Sequence, residues 1–297
     1  MRFIKAHGAG NDFVLLPDFD DALILSPALV RGLCARHTGV GGDGVIRLTP
    51  GRAGTDVFMD YWNADGSVSE MCGNGVRCVA KYVADRGMVD GDVIRVDTRD
   101  GVKAVEVAAR HPDGRVARVR VDMGNPMTTG PKKVDVSPAR LVDCPWSPPL
   151  GVPGTGELAV TAEQRFTEVT TLSMGNPHAV LVVDDVEQAP VAAWGPVIEH
   201  DDAFPRGTNV EFICVPARDR VIGRIWERGV GETQASGTGA SAMAAAAHVL
   251  GLADRQVTVA LPGGELVVDW TDETLYLTGP AVEVAEGQLH PERLDSR

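Results

Sequence analysis

Two glycine-rich loops in this 297-residue chain read as copies of one another. Met71-Cys72-Gly73-Asn74-Gly75-Val76-Arg77 leads into a helical pattern that stops at Gly87, and Ala235-Ser236-Gly237-Thr238-Gly239-Ala240-Ser241 leads into another that stops at Gly251. Cys72 and Ser236 stand 164 positions apart, and so do Gly87 and Gly251. A repeat in that register constrains the chain to two halves of similar fold. Each loop sets small residues and unpaired backbone amides at the start of a helix, where the amides and the macrodipole favour an anion such as a carboxylate or phosphate. Each also places one reactive side chain type there, Cys72 in the first half and Ser236 in the second. Two such half-sites facing each other would make one active site.

The repeat extends beyond the loops. Phe58-Met59-Asp60-Tyr61-Trp62-Asn63 precedes the first loop as Ile222-Gly223-Arg224-Ile225-Trp226-Glu227 precedes the second, and Gly10-Asn11-Asp12-Phe13 has a counterpart in Gly175-Asn176-Pro177-His178. Stretches with strand character dominate, at 12–16, 44–49, 55–62, 93–98, 102–108 and 116–121, then at 165–171, 178–183, 209–215, 221–227, 257–261, 266–270 and 274–278. Ser26-Pro27 supplies an N-cap and a first-turn proline for a helix to about Arg36. The proline- and glycine-rich stretch 137–156 reads as a surface excursion. Beyond Gly279, a strand-like Ala281–Ala285 is placed to return and pair with the first half. The order strand, loop, helix, strand is written twice, which implies an α+β protein of two pseudo-symmetric domains, each a curled mixed β-sheet around a central helix. Residues 1–120 with 278–297 form the lobe carrying Cys72, and 121–277 the lobe carrying Ser236. Each central helix should be buried nearly all round, through Val76, Val79, Ala80, Tyr82 and Val83, and through Ala240, Ala242, Met243, Ala245, Ala246 and Val249.

Charge excludes some functions. With a net charge of −13, a surface for nucleic acid or an anionic membrane is not expected, because neutralising phosphates needs clustered Lys and Arg. The first residues lack the apolar core of a signal peptide and no apolar run approaches a membrane span, so a cytoplasmic protein is expected. Cys34, Cys72, Cys78, Cys144 and Cys214 show no C-x-x-C spacing, which fits reduced thiols. The seven histidines lack ligand spacing, and no metal is expected. Gly237 to Ala242 formally matches a dinucleotide fingerprint, but no strand feeds straight into it.

Cys72 carries the strongest chemical signal. A thiol at a helix N-terminus has its pKa lowered and becomes a usable base or nucleophile near neutral pH; the alternative is a buried structural cysteine. Asn11, Asn63, Asn74, Asn176 and Asn209 each suit a turn, yet their matched positions in two halves suggest a polar lining for a zwitterionic ligand. His178 and Glu227 are of the kind that accept or relay a thiol's proton, and Arg228 of the kind that grips a carboxylate through two parallel hydrogen bonds. A surface ion pair would account for the same residues.

Taken together, His7-Gly8-Ala9-Gly10-Asn11-Asp12-Phe13, Asn63-Ala64-Asp65-Gly66-Ser67, Met71 to Cys78, Gly175-Asn176-Pro177-His178, Glu227 to Thr233 and Leu261-Pro262-Gly263-Gly264 resemble the diaminopimelate epimerases, from Phe3 to about Gly279. The resemblance implies a cofactor-independent enzyme that interconverts LL- and meso-diaminopimelate on the route to lysine and peptidoglycan. It implies that one cysteine, matching Cys72, removes the α-proton while a second delivers a proton to the opposite face. It also implies that Asn11, Asn63, Gly73, Asn74, Asn176, Asn209, Glu227, Arg228, Gly237 and Thr238 hold the substrate, that His178 and Glu227 tune the thiols, and that Tyr276 lies at a homodimer interface. Gly44 stands where some members carry glutamine.

The second cysteine maps onto Ser236, and here the chain departs from the pattern. A serine hydroxyl is a far weaker acid than a thiol, so two-base epimerisation should be crippled. An engineered substrate-trapping form and a natural variant with a different second acid, or a one-base reaction, both fit. A related hydroxyproline epimerase or dehydratase, and a silent amino-acid binding protein, are the alternatives.

Overall fold

The computed structural model of the protein describes residues 1–52, 54–135 and 166–290. The stretch expected as a surface excursion, 137–156, and Cys144 within it lie outside the described residues. The chain divides into two compact units, Met1–Asp122 with Thr278–Arg297, and Met123–Leu277.

In the first unit, β1 (Arg2–Gly8) and β2 (Asn11–Pro17) form an antiparallel hairpin. Its turn residues Ala9 and Gly10 both have positive φ, 54° and 85°, the backbone twist that suits a two-residue hairpin. β3 (Gly44–Pro50) runs parallel to β2, β4 (Val57–Asn63) antiparallel to β3, and β5 (Val93–Thr98) parallel to β4. β6 (Gly101–Arg110) and β7 (Val116–Gly124) continue antiparallel. On the other side of β1 lies the returning β17 (Val282–Gln288), antiparallel to it, whose Glu283 also pairs at 2.7 Å with Arg86 after the helix Gly73–Asp85.

Each parallel join needs a crossover, and each crossover carries a helix. Between β2 and β3 lies α1 (Pro27–Cys34), started by the Ser26 hydroxyl accepting from the Leu29 N–H at 3.1 Å. Between β4 and β5 lies α2 (Gly73–Asp85). Phe13, Val14, Leu15 and Leu16 of β2 are all fully buried. Val14 and Leu16 pack on Val30 and Leu33 of α1, and alternation turns Phe13 and Leu15 to the face that meets α2.

The second unit repeats this plan. β8 (Met127–Asp135), β9 (Phe166–Ser173) and β10 (Pro177–Val182) pair antiparallel in turn; β11 (Asn209–Ala217) is parallel to β10, β12 (Arg220–Glu227) antiparallel to β11, β14 (Gln256–Leu261) parallel to β12, and β15 (Gly264–Trp270) antiparallel to β14. α3 (Val191–Glu199), β13 (Gly231–Thr233), α4 (Gly237–Val249) and β16 (Leu275–Pro280) complete it. The ladder β8–β9–β10–β11–β12–β14–β15 has the strand directions of β17–β1–β2–β3–β4–β5–β6. Register agrees too: Phe13 faces Gly44 as His178 faces Asn209, and Val57 faces Val96 as Val221 faces Val259.

Both central helices are wrapped by their own sheet. α2 is buried continuously from Gly73 to Val83, and α4 at Gly237 and from Gly239 to Ala247. α2 touches β1, β2, β4, β5, β6 and β17, and α4 touches β9, β10, β11, β12, β14 and β15. Val249, expected in this core, is instead 50% exposed, because it is the last residue of α4 and stands past the sheet that covers the rest.

Ending the chain at Ala281 removes β17, the outer partner of β1. Hydrogen–deuterium exchange should then rise through β1 and α2 while β11 and α4 keep their protection. Equal loss in both units would show that they do not fold as separate bodies.

Candidate active site

Cys72 is the N-cap of α2. Its backbone is extended (φ −142°, ψ 118°) and its sulfur accepts from the Gly75 N–H at 3.4 Å. A thiolate accepts that bond more strongly than a thiol, which is how a helix start favours the ionised form. Gly75 packs closely on the sheet: a Cβ there would lie 2.8 Å from Ile46 Cδ1 and 2.9 Å from Met59 Cε, and those tips would have to move. The Cys72 sulfur lies 3.8 Å from Asn11 Oδ1, which also accepts from Asn74 Nδ2 at 3.1 Å, while Asn11 Nδ2 donates to Asp43 Oδ2 at 2.7 Å.

Asp43 belongs to a charged cluster behind Asn11. Burial raises its proton affinity, and the neighbouring Asp12 adds to that. Burial alone would raise Asp12 as well, but hydrogen bonds from Arg36 and Lys5 outweigh it and hold that carboxyl far below the usual range. Arg36 bridges the two, 2.9 Å from Asp12 and 2.7 Å from Asp43. Only Cys72 among the described thiols is both partly exposed and at a helix start: burial pushes Cys34 and Cys78 up to about 12 and raises Cys214.

Ser236 caps α4 in the same way. Its Oγ accepts from the Gly239 N–H at 3.2 Å, with an extended backbone (φ −134°, ψ 130°). A Cβ on Gly239 would meet Ile225 Cδ1 at 2.4 Å. Thr238, at the position of Asn74, accepts from Asn176 Nδ2 at 3.4 Å, and Asn176 is the counterpart of Asn11. His178 Nε2 lies 2.9 Å from Asn176 Oδ1, and its Nδ1 lies 2.5 Å from Glu211 Oε1. Both His178 and Glu211 are fully buried. Burial raises the Glu211 carboxyl, although the attraction and hydrogen bond of His178 pull the other way.

Of the remaining expected residues, Asn63, Asn209, Glu227 and Arg228 fall at or beside strand ends. Asn209 spans the neck of the second half-site, donating to the Pro177 carbonyl at 2.9 Å and accepting from the Arg228 N–H at 3.0 Å. Glu227 accepts from Thr233 Oγ1 at 2.6 Å, and the Arg228 guanidinium is exposed beside the Arg206 carbonyl. Gly73 and Gly237 are the first helical residues of α2 and α4. Asn63 closes its own loop, its side chain donating to Ser67 Oγ at 3.0 Å. Tyr276 lies half-buried on β16. At Gly44, a Cβ would sit 2.6 Å from both the Trp62 carbonyl and the Tyr61 ring, so this backbone leaves no room for the glutamine of some relatives.

Four supporting residues escaped the sequence reading: Asp43, Arg77, Glu199 and Glu211. Glu199, on α3, accepts from Trp226 Nε1 at 2.8 Å and from the Gly229 N–H at 2.9 Å, and so anchors the turn that carries Glu227 and Arg228. The available signal was a charge in an otherwise apolar run, as in Val210-Glu211-Phe212 and Val76-Arg77-Cys78-Val79. Among the described residues, no group of three or more His, Cys, Asp or Glu is placed to hold a metal, and no helix is long and apolar enough to cross a membrane.

The sequence profile described as diaminopimelate epimerase matches residues 3–129 and 170–284. A diaminopimelate epimerase of Pelotomaculum thermopropionicum is 43% identical over 292 residues, covering 97% of this chain and 98% of that one. One of Acetivibrio thermocellus is 40% identical over 291 residues, with the same coverage of 97% and 98%. Among solved structures, a phenazine biosynthesis protein of the PhzF family from Bacillus anthracis superposes with a TM-score of 0.67 at 15% identity, covering 98% of this chain and 99% of that one. At that identity the likeness speaks for the fold alone.

Glu211 gives the site a pH signature. Its folded-state pKa is raised above the ordinary 4.5, so the stability it contributes is full below that value and is lost as pH rises through the raised one. Glu211→Gln keeps a partner for His178 without a carboxylate to ionise. The melting temperature of the parent should therefore fall relative to Glu211→Gln as pH is raised from about 4.5; parallel pH curves would contradict this.

Proposed function

The chain belongs to the diaminopimelate epimerase family, and we propose that it acts on the α-proton of LL- and meso-2,6-diaminopimelate, an isomerase reaction needing no cofactor and feeding lysine and peptidoglycan synthesis. The observation that supports this most is Cys72 itself: a half-exposed thiol that caps a buried helix and is bonded by the Gly75 amide, while the other described thiols are buried or have raised proton affinity.

In this reading the Cys72 thiolate takes the α-proton and becomes a thiol. The electron pair left on the α-carbon delocalises into the substrate carboxylate, where backbone amides at a helix start stabilise the growing charge. Inversion then requires a proton from the opposite face, and the residue assigned to it is at 236. A cysteine there would deliver the proton and take it back in the reverse direction. Serine does so poorly, because its hydroxyl hardly ionises at neutral pH. The enzyme as it stands is impaired in inversion while keeping proton removal at Cys72. His178 and Glu227 serve as the groups that tune proton transfer, and the asparagines hold the ammonium and carboxylate. A cytoplasmic homodimer with Tyr276 at its interface completes the proposal.

In deuterated buffer, one stereoisomer of diaminopimelate should exchange its α-proton much faster than it inverts, and Cys72→Ala should abolish the exchange. Ser236→Cys should raise inversion by on the order of 10² to 10⁴-fold, the usual worth of a positioned acid or base. If that variant leaves inversion undetectable while a hydroxyproline turns over well, the reading fails.

A further inference from the structure

We propose that Arg77 is a positioning residue for Cys72: a buried, donor-only cation inside α2 that fixes which way the amides of Asn74 and Asn11 point and holds a permanent positive charge behind the sulfur. The inference rests on the reading of Cys72 as the acid/base of this site.

The geometry is a chain of hydrogen bonds with one allowed polarity. Arg77 is fully buried, and its guanidinium donates to the Pro280 carbonyl at 3.2 Å, the Gly73 carbonyl at 3.3 Å and Asn74 Oδ1 at 2.8 Å. Guanidinium has no acceptor, so Asn74 must turn its oxygen to it and its NH₂ away. That NH₂ donates to Asn11 Oδ1 at 3.1 Å, and the Asn11 NH₂ donates in turn to the Asp43 carboxylate at 2.7 Å. A donor-only group at one end and an acceptor at the other thus hold Asn11 with its oxygen toward the Cys72 sulfur, 3.8 Å away. The same oxygen is the acceptor an incoming ammonium group would meet.

The cation also acts through its charge. Its three acceptors are neutral, and no ion pair to Arg77 exists among the described residues. A charge buried on neutral acceptors alone is costly. Burial lowers Arg77 to about 10, with its coupling to the neighbouring Cys78 and Cys72 sulfurs working against that fall, so it stays protonated at neutral pH. The other groups facing the cluster are Lys81 on α2, Arg118 on β7, Glu283 on β17, and Lys5, Asp12 and Asp43 around Asn11.

In the duplicated half, Ser241 stands at the matching position of α4, donates to the Gly237 carbonyl at 2.9 Å and is equally buried. Gly8, meanwhile, is the seat that lets Arg77 in: a Cβ there would lie 2.8 Å from Arg77 Nη2 and 3.0 Å from the Asn74 carbonyl oxygen.

The test needs no substrate. Iodoacetamide labelling of Cys72 is followed by mass spectrometry against pH, beside thermal melts, in the parent, Arg77→Gln, Arg77→Lys and Gly8→Ala. Arg77→Gln should raise the midpoint of Cys72 labelling by about one unit, the scale of a lost neighbouring charge, and Arg77→Lys should raise it less at a comparable loss of melting temperature. Gly8→Ala, which displaces the guanidinium without removing it, should also raise the midpoint. A folded Arg77→Gln protein with the parent's midpoint overturns the proposal; if that variant does not fold, an unchanged midpoint in Gly8→Ala does so. Failure of the parent to exchange the α-proton of diaminopimelate would refute the proposed reaction and leave these midpoints unaffected.

Discussion

An amide proton aimed at the side chain of its own helix cap is the contact on which the rest depends. In each half, the residue proposed to do chemistry is also the residue that starts the central helix: the Gly75 N–H bonds the Cys72 sulfur and the Gly239 N–H bonds the Ser236 oxygen. Both glycines sit close against their own sheet, since a methyl group at either would meet the tips of its apolar side chains. The helix start is therefore held against the sheet, and the capping side chain inherits that rigidity. A reactive atom needs such support, because misplacement by a fraction of an ångström weakens proton transfer.

The surrounding fold follows from burying one helix completely. A helix buried on every side has to be covered from all directions, and a single flat sheet reaches only one face. Alternating parallel and antiparallel joins let seven strands curl around α2 and around α4 in the same order. The position that β8 holds in the second unit is held in the first by β17. There the tail pairs with the first strand.

Much of this was legible because the repeat is written in glycines and tryptophans at fixed spacing. The two glycine loops, the Trp62 and Trp226 strands and the helix-ending glycines all announced themselves through spacing. β1 and β8 did not, because His7 and Gly8 interrupt the first and Gly130 and Pro131 the second. α3 was hidden by Pro190 at its cap and Pro196 within it, two residues that ordinarily end helices. The site's visible residues were those in loops. Its hidden ones, Arg77 and Glu211, lie in the middle of buried elements, and their charge is explained only by partners far away in sequence, Pro280 and His178.

Duplication equalises backbone geometry but leaves charge free to differ, and the two halves use that freedom in opposite directions. Where the first half has Phe13 and Ile46, the same register positions in the second hold His178 and Glu211; where the first has Arg77, the second has Ser241. One half thus buries a cation with neutral acceptors, and the other a carboxyl whose proton affinity is raised. The equivalent polar contact beside each helix start runs in reverse, from Asn74 to Asn11 in the first half and from Asn176 to Thr238 in the second. A buried cation favours an anion at the helix mouth, whereas burial favours the protonated form of the Glu211 carboxyl. On the proposed reaction, that difference would suit the first half to a base and the second to an acid, through buried residues as well as through positions 72 and 236.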